Sequence, residues 1–192
     1  MDVLLSCLLI GSSTILYSFI WFYPNIFSKI IGKDHNPVHL LSQLSMFLKV
    51  LQLISITFLF ENIYLIGLHS SIMTILTENV TVTFFCSLLF LTGQFMNLSV
   101  YQALTRDGVY YGAVFGQKIK WVSGWPYKLF NIIIPDPQYI GCILSLISLL
   151  FLIYQKHIKL TIVLFFWILN YIILIILEKS PSGNIVIKNV KN

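Results

Sequence analysis

Residues 131 to 146 read NIIIPDPQYIGCILSL, two apolar runs separated by two prolines and an aspartate, with a glycine soon after the second run begins. Asp136 can cap a helix and Pro137 can occupy its first position, so the string reads as a chain that pauses and then starts a new apolar helix at Gln138. That pause is intelligible if the chain leaves a membrane before it and re-enters after it. Whether a membrane is the right setting depends on the rest of the chain.

The chain has 192 residues, of which 57% are apolar and 10% charged, and its mean hydropathy is +0.86. Polar side chains are too few to cover a soluble globule, so the sequence predicts an all-α integral membrane protein. A crossing helix needs about 20 apolar residues. Windows of that kind, or nearly so, fall at residues 3 to 22, 40 to 60, 80 to 104, 138 to 154 and 160 to 177. The expectation is a bundle of about five hydrophobic helices, four or five of them spanning, with an interfacial loop before a C-terminal helical hairpin.

The first window follows Asp2 rather than a basic cluster and has no small-residue cleavage site, so it reads as a retained span. Cys7, Cys86 and Cys142 all lie in apolar windows and form no metal-type pair, which predicts three buried thiols, no disulfide and no metal. Lys29 and Lys33 follow the first window, and Arg106, Lys118, Lys120 and Lys128 crowd the connection after the third. Residues 61 to 79 hold neither Lys nor Arg. The positive-inside rule therefore puts the first and third connections in the cytosol and the N-terminus outside. Lys156 and Lys159 oppose this in the turn between the last two windows, and a hairpin that does not fully cross would relieve the conflict. Asn79-Val80-Thr81 is a glycosylation sequon on the outer side, hard against a span.

Pro24 is expected to end the first helix, and Asn36-Pro37 to cap and start the second. His35 then precedes the cap and cannot share a helix face with His39, which argues against a metal pair there. Lys49 lies well inside the second window and Glu61 at its end. A charge at that depth either faces the bundle interior near Ser45 or Gln52, or snorkels to the interface from a tilted helix; the second reading is the more ordinary one.

The connection over residues 105 to 136 is the one long polar stretch, and it interleaves Gly108, Gly112, Gly116 and Gly124 with Tyr110, Tyr111, Phe115, Trp121, Trp125 and Tyr127. Glycines allow close backbone approach, and aromatic faces can hold a cationic ammonium. By composition alone an aromatic belt with basic residues on anionic lipid is the better explanation. The order of the motifs adds more. Gly108-Val109-Tyr110-Tyr111-Gly112, then Gly124-Trp125-Pro126-Tyr127, then Asp136-Pro137-Gln138-Tyr139-Ile140-Gly141 resembles the phospholipid N-methyltransferase family, and Gly93-Gln94-Phe95-Met96-Asn97 resembles its plant and protist branch.

The resemblance implies a single membrane methyltransferase domain over residues 1 to 192, with its cofactor and catalytic region at about 90 to 183. It implies S-adenosylmethionine as methyl donor, no metal, a membrane phospholipid and no nucleic acid as partner, and an endoplasmic reticulum membrane with the site towards the cytosol. Carried over by position, Gly93, Gln94, Tyr127, Pro137, Gln138, Tyr139, Gly141 and Glu178 are the expected donor-binding residues. Tyr139, Glu178 and Tyr111 are the expected catalytic ones. Taken alone, Glu178 reads as a solvated charge at a helix end, which Pro181, Ser182 and Gly183 terminate. The chain departs from many relatives in having Glu178-Lys179 where they carry two glutamates, and Thr92-Gly93 where they carry Gly-x-Gly. Two other readings compete. An isoprenylcysteine carboxyl methyltransferase-like enzyme usually shows Arg-His-Pro where this chain has Pro135-Asp136-Pro137. A non-catalytic scaffold or transporter subunit would make the aromatic loop a lipid belt.

Overall fold

The computed structural model describes residues 3–32, 35–64, 79–119, 136–153 and 157–180, and the regular structure among them is helical. In chain order the helices are α1 (Val3–Phe22), α2 (Pro24–Ile31), α3 (Pro37–Tyr64), α4 (Val80–Val109), α5 (Pro137–Ile153) and α6 (Ile158–Glu178). Four of them, α1, α3, α4 and α6, are long and apolar enough to cross a bilayer, and α5 is a shorter apolar helix of 17 residues.

The distribution of side chains identifies the solvent. Leu4, Leu8, Ile15, Phe47, Leu91, Phe95, Phe165 and Ile176 are exposed, while Ser6, Ser45, Gln52, Ser55, Ser99, Ser148 and Asn170 are buried. In water that arrangement would be costly; in lipid, small and polar residues between helices are what holds a bundle together. Gln52 shows the device at work, donating from Nε2 to the Leu9 carbonyl at 3.0 Å and to Ser13 Oγ at 2.6 Å, which ties α3 to α1. The protein is therefore an integral membrane bundle.

Sequence punctuation explains the ends. Asn36 Oδ1 accepts from the backbone N–H of Val38 at 3.0 Å and of His39 at 3.4 Å, the expected cap ahead of Pro37. The window ending at residue 104 stops where the structure kinks: Thr105 has φ +58°, and one further turn carries the helix to Val109. The backbone around Pro24 differs from expectation. Proline does end α1, but it also occupies the first position of an eight-residue helix, α2, whose Phe27 is buried against the Phe115 ring at 5.9 Å. Of the three free thiols only Cys86 is fully buried; Cys7 and Cys142 are half-buried, and Cys142 lines interior cavities.

Five helix ends meet at one end of the bundle. Trp21 at the end of α1 donates from Nε1 to Ser180 Oγ beyond α6 at 3.3 Å. Arg106 at the end of α4 donates from Nε to Ser42 Oγ at 2.7 Å and from Nη2 to the His39 carbonyl at 3.3 Å, near the start of α3. Gln117 reaches Asn36 Oδ1 at 3.3 Å. Lys29, Arg106 and Lys118 belong to this same end, so the basic connections lie together as their charge pattern predicts.

Candidate active site

At that end, α5 begins and α6 finishes. The hairpin they form brings Tyr139, in the first turn of α5, beside Glu178, the last residue of α6. Glu178 Oε1 accepts hydrogen bonds from the hydroxyls of both Tyr139 and Tyr111, and the two phenol oxygens are 3.5 Å apart. The three residues expected to be catalytic are thus one hydrogen-bonded cluster, drawn from α6, α5 and the turn after α4. Oε2 of Glu178 accepts no hydrogen bond from the described residues.

Burial and the negative charge of Glu178 push the Tyr111 phenol well above its usual pKa, so it stays an O–H donor at neutral pH. Aromatic rings enclose it: Tyr17 stands edge-on at a centroid distance of 5.5 Å and Trp21 is tilted at 5.5 Å. Tyr139 packs on the Tyr171 ring at 5.9 Å. A carboxylate with one oxygen committed and the other without a hydrogen bond from the described residues, beside aromatic faces, suits a cationic ligand with hydroxyls or an ammonium.

Backbone strain concentrates at the same place. The described non-glycine residues with positive φ are Thr105 at 58°, Tyr111 at 59° and Asp136 at 54°. Positive φ is uncommon for Thr and Tyr and better tolerated by Asp, and each lies where the chain turns into or out of the cluster. Asp136 precedes α5 as expected, and its backbone carbonyl accepts from the Ile140 N–H at 3.2 Å.

The other expected donor-binding residues divide into two groups. Pro137 is buried at the first position of α5, and Gln138 lines an interior cavity together with Tyr139. Gly93, Gln94 and Gly141 lie instead at the crossing of α4 and α5. A Cβ on Gly141 would stand 2.5 Å from the Gly93 carbonyl oxygen, and one on Gly93 would meet Ser145 Oγ at 2.5 Å and the Gly141 carbonyl. Each glycine's missing side chain is therefore occupied by the opposite helix. Gln94 donates from Nε2 to Ser145 Oγ across the same crossing at 2.9 Å. One turn on, the Oδ1 of Asn97 is buried with no partner among the described residues. Tyr127 lies outside the described residues, as do Trp121, Gly124 and Trp125.

The sequence reading missed the contribution of α1, whose Tyr17 and Trp21 form the aromatic wall. The signal was present as an aromatic pair spaced by four on a helix end. Lys49 is also placed differently from the more ordinary expectation: it does not simply snorkel to the surface but lines the interior cavity with Ser45 and Gln52. Helical spacing of four and then three puts all three on one face of α3.

Tyr111→Phe tests the cluster gently, since it keeps the ring contacts and removes one donor. A hydrogen bond to a charged group contributes roughly 1.5 to 3 kcal/mol, which predicts a fall in turnover of about tenfold to a hundredfold, with a lower unfolding temperature but the helical fold retained. Turnover equal to wild type would remove Tyr111 from the site.

The chain is similar to proteins of known activity. Residues 81–182 match the phospholipid methyltransferase family model. Over 174 residues, covering 91% of this chain and 90% of the relative, it is 30% identical to phosphatidyl-N-methylethanolamine N-methyltransferase of Arabidopsis thaliana. No solved structure matches it.

Proposed function

The chain belongs to the phospholipid methyltransferase family, and on that premise we propose that it transfers the methyl group of S-adenosylmethionine to the nitrogen of mono- and dimethylated phosphatidylethanolamine, ending at phosphatidylcholine. The observation that carries this reading is the convergence of Tyr111, Tyr139 and Glu178 on one carboxylate oxygen at the end of the bundle where the basic connections gather. The preference for methylated acceptors is supported by the relative's name and by the Gly93-Gln94-Phe95-Met96-Asn97 segment.

When bound, S-adenosylmethionine supplies an electrophilic methyl group on a sulfonium sulfur. Glu178 Oε2 would hold its ammonium or ribose hydroxyls, and the Tyr17, Trp21 and Tyr111 rings suit its positive charge. The two tyrosine hydroxyls fix the carboxylate, so that it need not reorganise during the reaction. An amine headgroup attacks only as the free base. The half-buried setting of Tyr139 disfavours the ammonium form of the acceptor by removing water, and a phenol at that position can pass the released proton outward. Alignment of donor and acceptor then supplies much of the rate, because methyl transfer is an in-line displacement. The membrane is that of the endoplasmic reticulum in this reading, with the cluster on the cytosolic face, where the basic connections lie and a water-soluble donor arrives.

The test is purified protein in nanodiscs given methyl-labelled donor with one acceptor lipid at a time. Label should enter the monomethyl and dimethyl lipids, and enter unmethylated phosphatidylethanolamine at least about tenfold more slowly. No label in any lipid, or labelling of the unmethylated lipid alone, would overturn the proposal.

A further inference from the structure

We infer that Lys49 is the phosphate anchor of the lipid substrate, holding the phosphodiester while an acyl chain lies in the apolar cavity beside it. The inference rests on the methyl-transfer reading above and adds a second anchor to the site.

Lys49 sits about three turns inside α3, at a depth where an ionisable group costs roughly 2.5 to 3.5 kcal/mol on insertion scales. Its ammonium forms no ion pair among the described residues, although Tyr110 and Cys142 lie within its electrostatic reach. The cavity it lines also presents Ser45, 2% exposed, whose buried hydroxyl faces the Tyr17 hydroxyl on the same cavity wall. Gln52 on the same face is already committed to α1. A cation without an ion-pair partner and a hydroxyl donor, one turn apart and facing one cavity, form a receptor for anionic oxygen.

The surroundings select which anion. The cavity is walled also by the apolar side chains of Ile10, Trp167 and Leu174. It shares Cys142, Trp167 and Tyr171 with a second cavity of about 330 Å³, lined among others by Leu53, Ile56, Leu149, Leu160 and Leu164. A ligand that sets an anionic group at Lys49 and hydrocarbon next to it is a phospholipid. Its order of parts matches the order of the protein's. The apolar cavity takes the chain, Lys49 the phosphate, and Tyr139, on the wall of the polar cavity, receives the amine. Side chains on a helix lean towards its N-terminus, so Lys49 leans towards the end of the bundle that carries Tyr139 and Glu178. The polar cavity, at about 50 Å³, is smaller than a headgroup, so α3 must yield on binding. It can: its packing is chiefly on α1, with sparse contact to α4 and α6.

The test is Lys49→Gln in nanodiscs, with Lys49→Arg and Ser45→Ala beside it. Loss of a charge-assisted contact predicts a rise of about tenfold or more in the lipid KM for Lys49→Gln, with kcat and the donor KM within about twofold of wild type. Lys49→Arg should keep most of the affinity, and Ser45→Ala should lose severalfold. Phosphatidylmethanol, a phosphodiester lipid without an amine, should compete with wild type and Lys49→Arg and lose about tenfold in competition against Lys49→Gln. Direct binding of phosphatidylmethanol, read by tryptophan fluorescence, tests Lys49 even if wild type methylates nothing, so the two readings fail separately. Equal phosphatidylmethanol binding by wild type and Lys49→Gln would overturn the inference. So would a KM change falling on the donor, which would make Lys49 a carboxylate contact of the donor instead.

Discussion

Glu178→Ala should lower lipid methylation by at least about a thousandfold while the chain still inserts and remains helical. The size follows from how many interactions meet at one side chain. Glu178 takes the hydroxyls of Tyr111 and Tyr139 on Oε1, while Oε2 accepts no hydrogen bond from the described residues. Truncation removes the charge that would hold a cationic donor and leaves two buried phenols without an acceptor, at roughly 1 to 3 kcal/mol each. Glu178→Gln separates these effects. Its amide oxygen can still accept from both tyrosines, so the cluster keeps its shape, but the negative charge is gone. Donor affinity should fall in both variants, and the Gln variant should stay as thermally stable as wild type. The measurement is donor binding by calorimetry alongside turnover on dimethylated lipid. A Glu178→Ala protein with wild-type turnover would mean that the carboxylate is only a structural cap on α6.

Much of this cluster could be read from the residues, and the reason is local. Asp136-Pro137 and Asn36-Pro37 carry start signals whose physics needs no tertiary context, and the windows over α1, α4, α5 and α6 agree with the helices because hydropathy in lipid is a local property. The resemblance supplied Tyr111, Tyr139 and Glu178, and membership of the phospholipid methyltransferase family leaves the carboxyl-methyltransferase and scaffold readings without support. What stayed hidden depends on which helix packs on which. A proline that ends one helix can open another eight residues long, and nothing around Pro24 announces the Phe115 ring that makes α2 worth forming. Tyr17 and Trp21 gain meaning only once α1 is known to end beside Ser180. The same is true of Lys49, where a rule about isolated lysines favours the interface and the cavity between α1, α3, α5 and α6 decides otherwise.

Gly141→Leu should cost both stability and activity, for a reason different from the one its place in the motif suggests. The motif suggests a backbone kept bare for the donor. In the structure the bare side faces α4: a Cβ on Gly141 would stand 2.5 Å from the Gly93 carbonyl, 3.0 Å from Met96 Cβ and 3.1 Å from the Asn97 nitrogen. Two of those atoms are backbone and cannot swing aside, so α5 must move away from α4. Overpacking of this kind costs roughly 1 to 3 kcal/mol, which should appear as a lower unfolding temperature in detergent. Tyr139 is on the same turn of α5, and a displacement of about 1 Å at a reacting centre can cost on the order of a hundredfold in rate. Gly141→Ala should show the same two effects in smaller measure. Gly11→Ala is the control, since its Cβ would meet nothing nearer than the Phe166 ring at 3.9 Å, and it should change neither quantity. Loss of activity in Gly141→Leu with an unchanged unfolding temperature would return the glycine to the donor pocket. A parallel fall in both would make it the contact that holds Tyr139 against Glu178, with the site's geometry set at the crossing of α4 and α5 rather than at the ligand it serves.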